Sequence, residues 1–232
     1  MPSGAMQKSA RCRLIAVGGH TRSIGKTQLV CDLIAALPEA HWLAGKITQY
    51  GHGVCAQNGR DCDCAPTEHV VALDWEAPSA SEADSARFLR AGADRAFWLR
   101  TKQGYLAEGM PLLREALESG TRGRQKEHDG LNVIVESNSL MQFVRPSLYV
   151  TVLDSARDDF KESARQMLDR ADVLLFRRGP GGSEAARPLW SGLPAQLAGD
   201  RPAFLQREGE PLPVPLVQLV EAILASPATV SV

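Results

Sequence analysis

The stretch that decides the fold is GGHTRSIGKT, residues 18–27, which follows the apolar run LIAV at residues 14–17. Four apolar residues in a row before a glycine-rich turn are typical of a buried strand. After the turn, apolar side chains recur at the spacing of a helix from Leu29 to Leu37, and Pro38 follows where that helix should end. A strand, a turn that ends in Gly-Lys-Thr and a helix together predict a phosphate-binding loop.

Each part of this loop has an expected role. Backbone N–H groups of the turn and the N-terminus of the helix attract phosphate oxygens. Lys26 is predicted to reach the β- and γ-phosphates, and the Thr27 hydroxyl is predicted to bind Mg²⁺. The predicted nucleotide-binding residues are Gly19, His20, Thr21, Arg22, Ser23, Ile24, Gly25, Lys26, Thr27 and Gln28.

The loop is one residue longer than the usual pattern, because five residues separate Gly19 from Gly25. This length resembles the loop of the dethiobiotin synthetase family, which reads Gly-Thr-Asp-Thr-x-Val-Gly-Lys-Thr. In that family a lysine at the end of the second strand faces the substrate, and Lys46 in GKIT, residues 45–48, stands at the matching place. The resemblance implies a catalytic Lys46 and ATP-dependent kinase or ligase chemistry on a small carboxylate.

A second segment, DSARFLRAGA at residues 84–93, resembles a stretch of molybdopterin-guanine dinucleotide biosynthesis protein B. That family also carries a lysine on its second strand, and its Walker-B-like strand ends Val-Glu-Gly, where this chain has VES at residues 135–137. Both families belong to one class of P-loop NTPases. The resemblance covers about residues 12–178, and it implies a homodimer and a role in cofactor biosynthesis.

Glu136 follows an uncharged apolar run at the end of a predicted strand. A buried carboxylate is costly unless it serves a metal, a water or a partner. We therefore expect a catalytic role for Glu136, with Thr27, in holding Mg²⁺ or positioning the attacking group. The alternative is that Glu136 only caps the turn SNS, residues 137–139. Asp74 and Asp84 are weaker candidates, because acids are common in loops and first helical turns.

Strands and helices alternate along the chain. The predicted strands cover residues 12–19, 41–48, 95–100, 131–137, 147–154, 172–178 and 202–206, and the predicted helices after the first cover residues 81–93, 105–120, 160–171 and 213–225. This alternation predicts an α/β fold with three layers and a doubly wound, mainly parallel sheet, the P-loop NTPase fold. We expect a disordered lead-in at residues 1–10 and a single domain at 11–226.

A Cys/His-rich insertion is expected at about residues 49–80, where apolar residues recur with neither the spacing of a helix nor that of a strand. Its potential soft ligands are His52, Cys55, Cys62, Cys64 and His69. Such ligands suit zinc or an iron–sulfur cluster, although the spacing Cys-x6-Cys-x-Cys matches no common motif. The alternative is a flexible loop with free thiols. Cys12 and Cys31 lie in a predicted strand and helix, and are expected to be core residues.

The base of the nucleotide is not specified by a known motif. Guanine-specific GTPases carry Asn-Lys-x-Asp after a late strand, and this chain has Arg177 and Arg178 there. ATP is therefore favoured over GTP. The two arginines are expected to be a solvated strand end, with binding of an anionic substrate as the alternative.

Composition excludes several partners. The formal net charge is -1, and the one basic cluster is TRGRQK at residues 121–126, so no nucleic-acid partner is expected. No apolar run approaches the roughly 20 residues of a membrane span, and the first residues lack a hydrophobic signal core. We expect a cytoplasmic protein.

Three functions are consistent with these patterns. The first is a Mg²⁺-dependent NTPase that assists metal or molybdopterin cofactor biosynthesis together with a cofactor-assembly protein. The second is an ATP-dependent kinase or ligase. The third is a nucleotide-dependent switch without catalytic activity.

Overall fold

The structure, a computed structural model, describes residues 11–51, 71–78, 82–121, 130–154, 156–157, 159–178 and 201–232. The predicted lead-in at residues 1–10 lies outside these ranges. So do His52, Cys55, Cys62, Cys64 and His69, so the predicted metal site at these residues stays a prediction.

The elements alternate as predicted. The strands are β1 (Arg11–Gly19), β2 (Leu43–Tyr50), β3 (Ala72–Trp75), β4 (Arg95–Lys102), β5 (Leu131–Glu136), β6 (Leu148–Leu153), β7 (Val173–Arg178), β8 (Ala203–Arg207) and β9 (Val230–Ser231). The helices are α1 (Lys26–Ala36), α2 (Asp84–Arg90), α3 (Leu106–Thr121), α4 (Glu162–Met167) and α5 (Val214–Ala225). Within the described ranges, none of these helices has the length and apolar character needed to cross a membrane.

The strands form one sheet in the order β3-β4-β2-β5-β1-β6-β7-β8. All neighbours along this path are parallel except β3, which is antiparallel to β4. The chain first builds the half of the sheet on the β5 side of β1 and then the half on the β6 side. The order therefore reverses at β1, and the carboxyl end of β1 is where a ligand binds in folds of this type.

Helices cover both faces of the sheet. Leu33 of α1, Phe88 of α2 and Leu216 of α5 are fully buried against one face. Leu113 of α3 and Met167 of α4 are buried against the other face. The predicted three-layer, doubly wound α/β architecture is confirmed.

Strand β1 lies at the centre of both cores. Leu14 and Ala16 face the α3 side, whereas Ile15 and Val17 face the α1 side, and all four are at most 1% exposed. A strand buried on both faces has to be apolar at consecutive positions, which is why LIAV shows no alternation. This burial fixes the position of the glycine-rich turn that follows.

Two strands, β3 and β9, are not among those that the sequence predicts. Strand β3 lies in the stretch 49–80, for which the sequence indicated no regular structure, and β9 lies beyond the expected boundary at residue 226. Both strands are too short to show the alternation of apolar and polar residues that is typical of a strand. Their positions are set by pairing, β3 with β4 at the sheet edge and β9 with Arg11 and Cys12 at the start of β1.

The two described cysteines are core residues, as predicted. Cys12 is 0% and Cys31 is 9% exposed. Burial raises the pKa of the Cys12 thiol to about 12 and that of the Cys31 thiol to about 11. Both thiols are therefore protonated near neutral pH, and the thiolate is the reactive form.

This burial predicts slow thiol chemistry at both positions. In a variant with Cys55, Cys62 and Cys64 replaced by serine, we expect Ellman's reagent at about pH 8 to modify neither remaining thiol while the protein is folded. Both should react at once in guanidinium chloride, which serves as the control. Rapid modification of either thiol in the folded protein would contradict their burial.

Candidate functional site

The glycine-rich turn ends in a left-handed residue directly before α1. Gly25 has φ 93°, and its carbonyl accepts the first helical hydrogen bond, from the Leu29 N–H at 2.9 Å. A side chain at this φ is strained, so glycine is required here. The turn thereby directs the N-terminus of α1, with its free N–H groups and positive dipole end, toward the inside of the loop.

Asn138 fastens the first glycine of the loop. The Gly19 N–H donates to Asn138 Oδ1 at 2.8 Å, and Asn138 Nδ2 donates to the Gly19 carbonyl at 2.8 Å. The Tyr149 hydroxyl donates to the same Oδ1 at 3.2 Å. A Cβ at Gly18 would collide with both side chains, so this position has to be glycine for the anchor to form.

His20 joins the loop to β6 and to the segment before α4 through its backbone. Its N–H donates to the Val152 carbonyl at 3.2 Å, and its carbonyl accepts from the Lys161 N–H at 2.8 Å. The imidazole is fully buried, and its ring lies edge-on to Phe160 with 5.4 Å between centroids. Burial lowers the pKa of His20. The His20 side chain is therefore a core residue that supports the loop. The Ile24 side chain, which is 5% exposed, is a core residue as well.

Residues 21–23, the middle of the loop, are bonded to the segment that follows β6. Arg157 Nη1 donates to the carbonyls of Arg22 and Ser23 at 3.1 and 3.2 Å. The Thr21 hydroxyl donates to the Asp159 carboxylate, and this hydrogen bond lowers the pKa of Asp159. These contacts hold the middle of the loop against the segment that follows β6.

Lys26 lies inside the loop. Its Nζ donates to the Thr21 carbonyl at 2.8 Å. Burial lowers the pKa of Lys26, although the nearby Glu136 carboxylate acts to raise it. The ammonium is thus held where a phosphate oxygen could replace the carbonyl as its acceptor.

Thr27, Glu136 and Lys46 lie in contact beside the loop. The Thr27 hydroxyl donates to Glu136 Oε2 at 2.6 Å, and Lys46 Nζ lies 3.3 Å from Glu136 Oε1. Lys46 and Glu136 are register partners on the neighbouring strands β2 and β5, so they emerge side by side at the same edge. Glu136 does not cap the following turn, because the Leu140 N–H donates to Ser137 Oγ at 3.1 Å instead.

Asp84, at the start of α2, joins this group and is a stronger member than the sequence indicated. Its carboxylate accepts a hydrogen bond from Lys46 Nζ. Burial of Lys46 acts to lower its pKa, but Glu136 and Asp84 together raise it above its ordinary value. Lys46 therefore stays charged. Asp74, in contrast, pairs with Arg100 on the edge of the sheet.

The expectation of a solvated strand end at Arg177 and Arg178 is wrong. Arg178 is 7% exposed, and the guanidinium of Arg177 lies against Gly25, with Nη2 at 3.4 Å from Asp32 Oδ2. The reason is that β8 continues the sheet beyond β7, and Gly25 has no side chain to keep Arg177 away.

The residues present fit a Mg²⁺ ion bound with a polyphosphate. Mg²⁺ prefers oxygen ligands and commonly binds proteins through one or two of them, with phosphates and waters completing the shell. The Thr27 hydroxyl and the Glu136 carboxylate supply such oxygens next to the loop. Within the described residues, no three His, Cys, Asp or Glu side chains form a cluster that could hold a metal by itself.

The anchor at Asn138 can be tested by mutation. Replacing Asn138 with Ala leaves the N–H and the carbonyl of Gly19 without their partners. We expect the free energy of unfolding to fall by about 1–3 kcal/mol in urea denaturation. Tyr149→Phe is the matched control, since it removes a single hydrogen bond to the same Oδ1 and should cost about 0.5–1.5 kcal/mol. Unchanged stability of Asn138→Ala would refute the anchor.

No known protein family and no curated protein sequence matches this chain significantly. Among solved structures, the chain is similar to HypB from Helicobacter pylori in complex with nickel, with 11% identity, a TM-score of 0.37 and coverage of 72% of this chain and 64% of HypB. It is also similar to the "apo" form of LpxK from Aquifex aeolicus in complex with ATP, with 14% identity, a TM-score of 0.39 and coverage of 71% of this chain and 48% of LpxK. The chain thus spans less than two thirds of either protein, and likeness at this level does not extend to ligands or activity. The loop and the sheet order, taken together, are those of the P-loop NTPase fold.

Proposed function

We propose that the chain binds a nucleoside triphosphate with Mg²⁺ at the loop of residues 19–27 and hydrolyses it. The observation that carries this proposal is the convergence of Lys26, Thr27 and Glu136 at the carboxyl end of β1. The loop supplies N–H donors for phosphates, Lys26 supplies a positive charge, and Glu136 supplies the acid that a metal site needs.

Binding would start from the preformed loop. The Lys26 ammonium, now held by the Thr21 carbonyl, would transfer its hydrogen bond to the β- and γ-phosphate oxygens. The burial that lowers the pKa of Lys26 disfavours its charge, and an arriving anion removes that penalty. The free N–H groups at the start of α1 would complete the cradle.

The bound metal would be held by Thr27 and Glu136. Mg²⁺ bound there would neutralise the charge that develops on the phosphates. Lys46 holds Glu136 Oε1 from the other side, so that Oε2 stays directed at Thr27. The remaining exposure of the Lys46 side chain, 20%, allows its charge to act on the γ-phosphate as well.

We propose further that this activity serves metal or molybdopterin cofactor biosynthesis with a cofactor-assembly protein as partner. Lys46 and Asp84 come from the two segments that resemble molybdopterin-guanine dinucleotide biosynthesis protein B, and their side chains are in contact. The metal would be cargo, bound at the Cys/His segment, and the chain would act as a homodimer. These are the expectations that the resemblance and the cysteine pattern support.

A second candidate is an ATP-dependent kinase or ligase on a small carboxylate. The observation in its favour is the position of Lys46 beside the loop, where a charged lysine could orient a carboxylate next to the γ-phosphate. A nucleotide-dependent switch would use the same loop without turnover.

Replacing Lys26 with Ala tests nucleotide binding directly. Two charge-assisted hydrogen bonds to phosphate would be lost, so affinity for ATP and for GTP with Mg²⁺ should fall by about 100-fold or more in calorimetric titrations. Lys102→Ala, at the carboxyl end of β4, is the control and should bind like the unaltered protein. If Lys26→Ala bound both nucleotides with unchanged affinity, the proposed function would be rejected.

Turnover assays separate the three functions. Phosphate release from ATP or GTP without any acceptor supports the NTPase. Turnover that requires an added carboxylate or hydroxyl compound supports the kinase or ligase, and binding without turnover under either condition leaves only the switch. Zinc or iron on the purified protein, lost in a Cys62→Ser/Cys64→Ser variant, supports the part in cofactor assembly. A metal-free protein contradicts that part alone.

A further inference from the structure

Arg177 touches the phosphate loop but has no part in the phosphate chemistry described above. A Cβ at Gly25 would lie 2.5 Å from Arg177 Nη1 and 2.9 Å from Cζ. The guanidinium therefore packs directly against the loop backbone, one residue before Lys26. This contact needs a glycine at residue 25 for reasons of space as well as of φ.

Arg177 and Glu136 lie on opposite sides of β1 in the sheet. Glu136 ends β5, on one side of β1, and the Thr27 hydroxyl is bonded to it there. This is the end of the site at which we propose that the metal and the terminal phosphates bind. Arg177 lies at the carboxyl end of β7, two strands from β1 on the opposite side. In the proposed binding mode, a triphosphate that lies along the loop with its γ-phosphate toward Glu136 would extend its nucleoside toward β7.

The guanidinium is only partly engaged by the protein. Its ion pair with Asp32 is long, with 3.4 Å between Nη2 and Oδ2. Its Nε is buried and has no hydrogen-bond partner within the described part of the chain. The side chain is 22% exposed, so part of the surface of this cationic side chain is open to solvent.

We propose that the guanidinium of Arg177 is the platform on which the nucleobase stacks. This inference rests on the proposed binding of a nucleoside triphosphate at the loop. Arginine stacks on aromatic rings through its planar, delocalised charge, and the contact gains strength when it is partly shielded from water. The hydrogen bond from Gln28 Nε2 to Asp32 Oδ1, 2.7 Å, fixes the carboxylate that orients the guanidinium.

Stacking of this kind predicts a broad base preference. A guanidinium plane contacts the π-face that adenine and guanine share, whereas discrimination requires hydrogen bonds to the edge of the base. We expect ATP and GTP to bind with affinities within a few-fold of each other.

The test compares ligands with and without a base. Affinities for ATP, GTP and inorganic tripolyphosphate, each with Mg²⁺, are measured by calorimetry on the full chain and on Arg177→Ala. We expect ATP and GTP to bind roughly 10-fold more weakly to the variant, while tripolyphosphate binding stays within about twofold. Arg207→Ala, at the end of the neighbouring β8, is the control and should change none of the three affinities.

Two outcomes would overturn the proposal. If Arg177→Ala weakened tripolyphosphate binding as much as ATP binding, Arg177 would be a phosphate ligand; if it changed neither, Arg177 would be structural. Arg177→Lys keeps the positive charge but lacks the planar guanidinium, so it should still lose affinity for ATP relative to tripolyphosphate. This variant replaces Arg177→Ala in the comparison if the alanine variant does not fold. If the unaltered protein bound neither ATP nor GTP, the proposed function itself would be rejected.

Discussion

The site depends on one buried carboxylate. Glu136 is 5% exposed, and a charge at this depth is costly unless its oxygens are paired. Both are paired, one with the Thr27 hydroxyl and the other with the Lys46 ammonium. Because these partners come from α1 and β2, the pairing fixes the helix after the loop and the neighbouring strand relative to β5. Removing either partner would leave an uncompensated buried charge. Lys46 also donates a hydrogen bond to Asp84, which holds the ammonium in place.

The polar contacts continue from this carboxylate along one side of α1. Arg87 lies 3.7 Å from Asp84 and donates to Gln28 Oε1 at 2.6 Å. Gln28 in turn donates to Asp32, which pairs with Arg177. The proposed metal end and the proposed base end of the nucleotide site are thereby joined through the exposed surface of one helix. The loop lies between them and is held from three further directions, at Gly19, at His20 and at its middle.

The fold and the centre of the site could be predicted from the sequence, whereas the surroundings of the site could not. LIAV followed by a Gly-Lys-Thr turn has a local signature, and parallel strands bring Lys46 and Glu136 to one edge without further information. Asn138, Arg157 and Arg177 have no local signature and Asp84 has only a weak one, because each acts through a contact between residues far apart in the chain. The position of Arg177 depends in this way on Gly25, a glycine about 150 residues earlier, against which its guanidinium packs. Strands β3 and β9 are too short for a pattern and are placed by pairing alone.

The central claim, that the loop of residues 19–27 binds a nucleoside triphosphate with Mg²⁺, is tested most directly by a crystal structure with Mg²⁺ and a non-hydrolysable triphosphate. The account predicts that Lys26 Nζ leaves the Thr21 carbonyl and bonds the β- and γ-phosphates, with the metal held near Thr27 and Glu136. A structure grown at saturating nucleotide in which Lys26 still donates to Thr21, and in which the phosphates lie elsewhere, would contradict it.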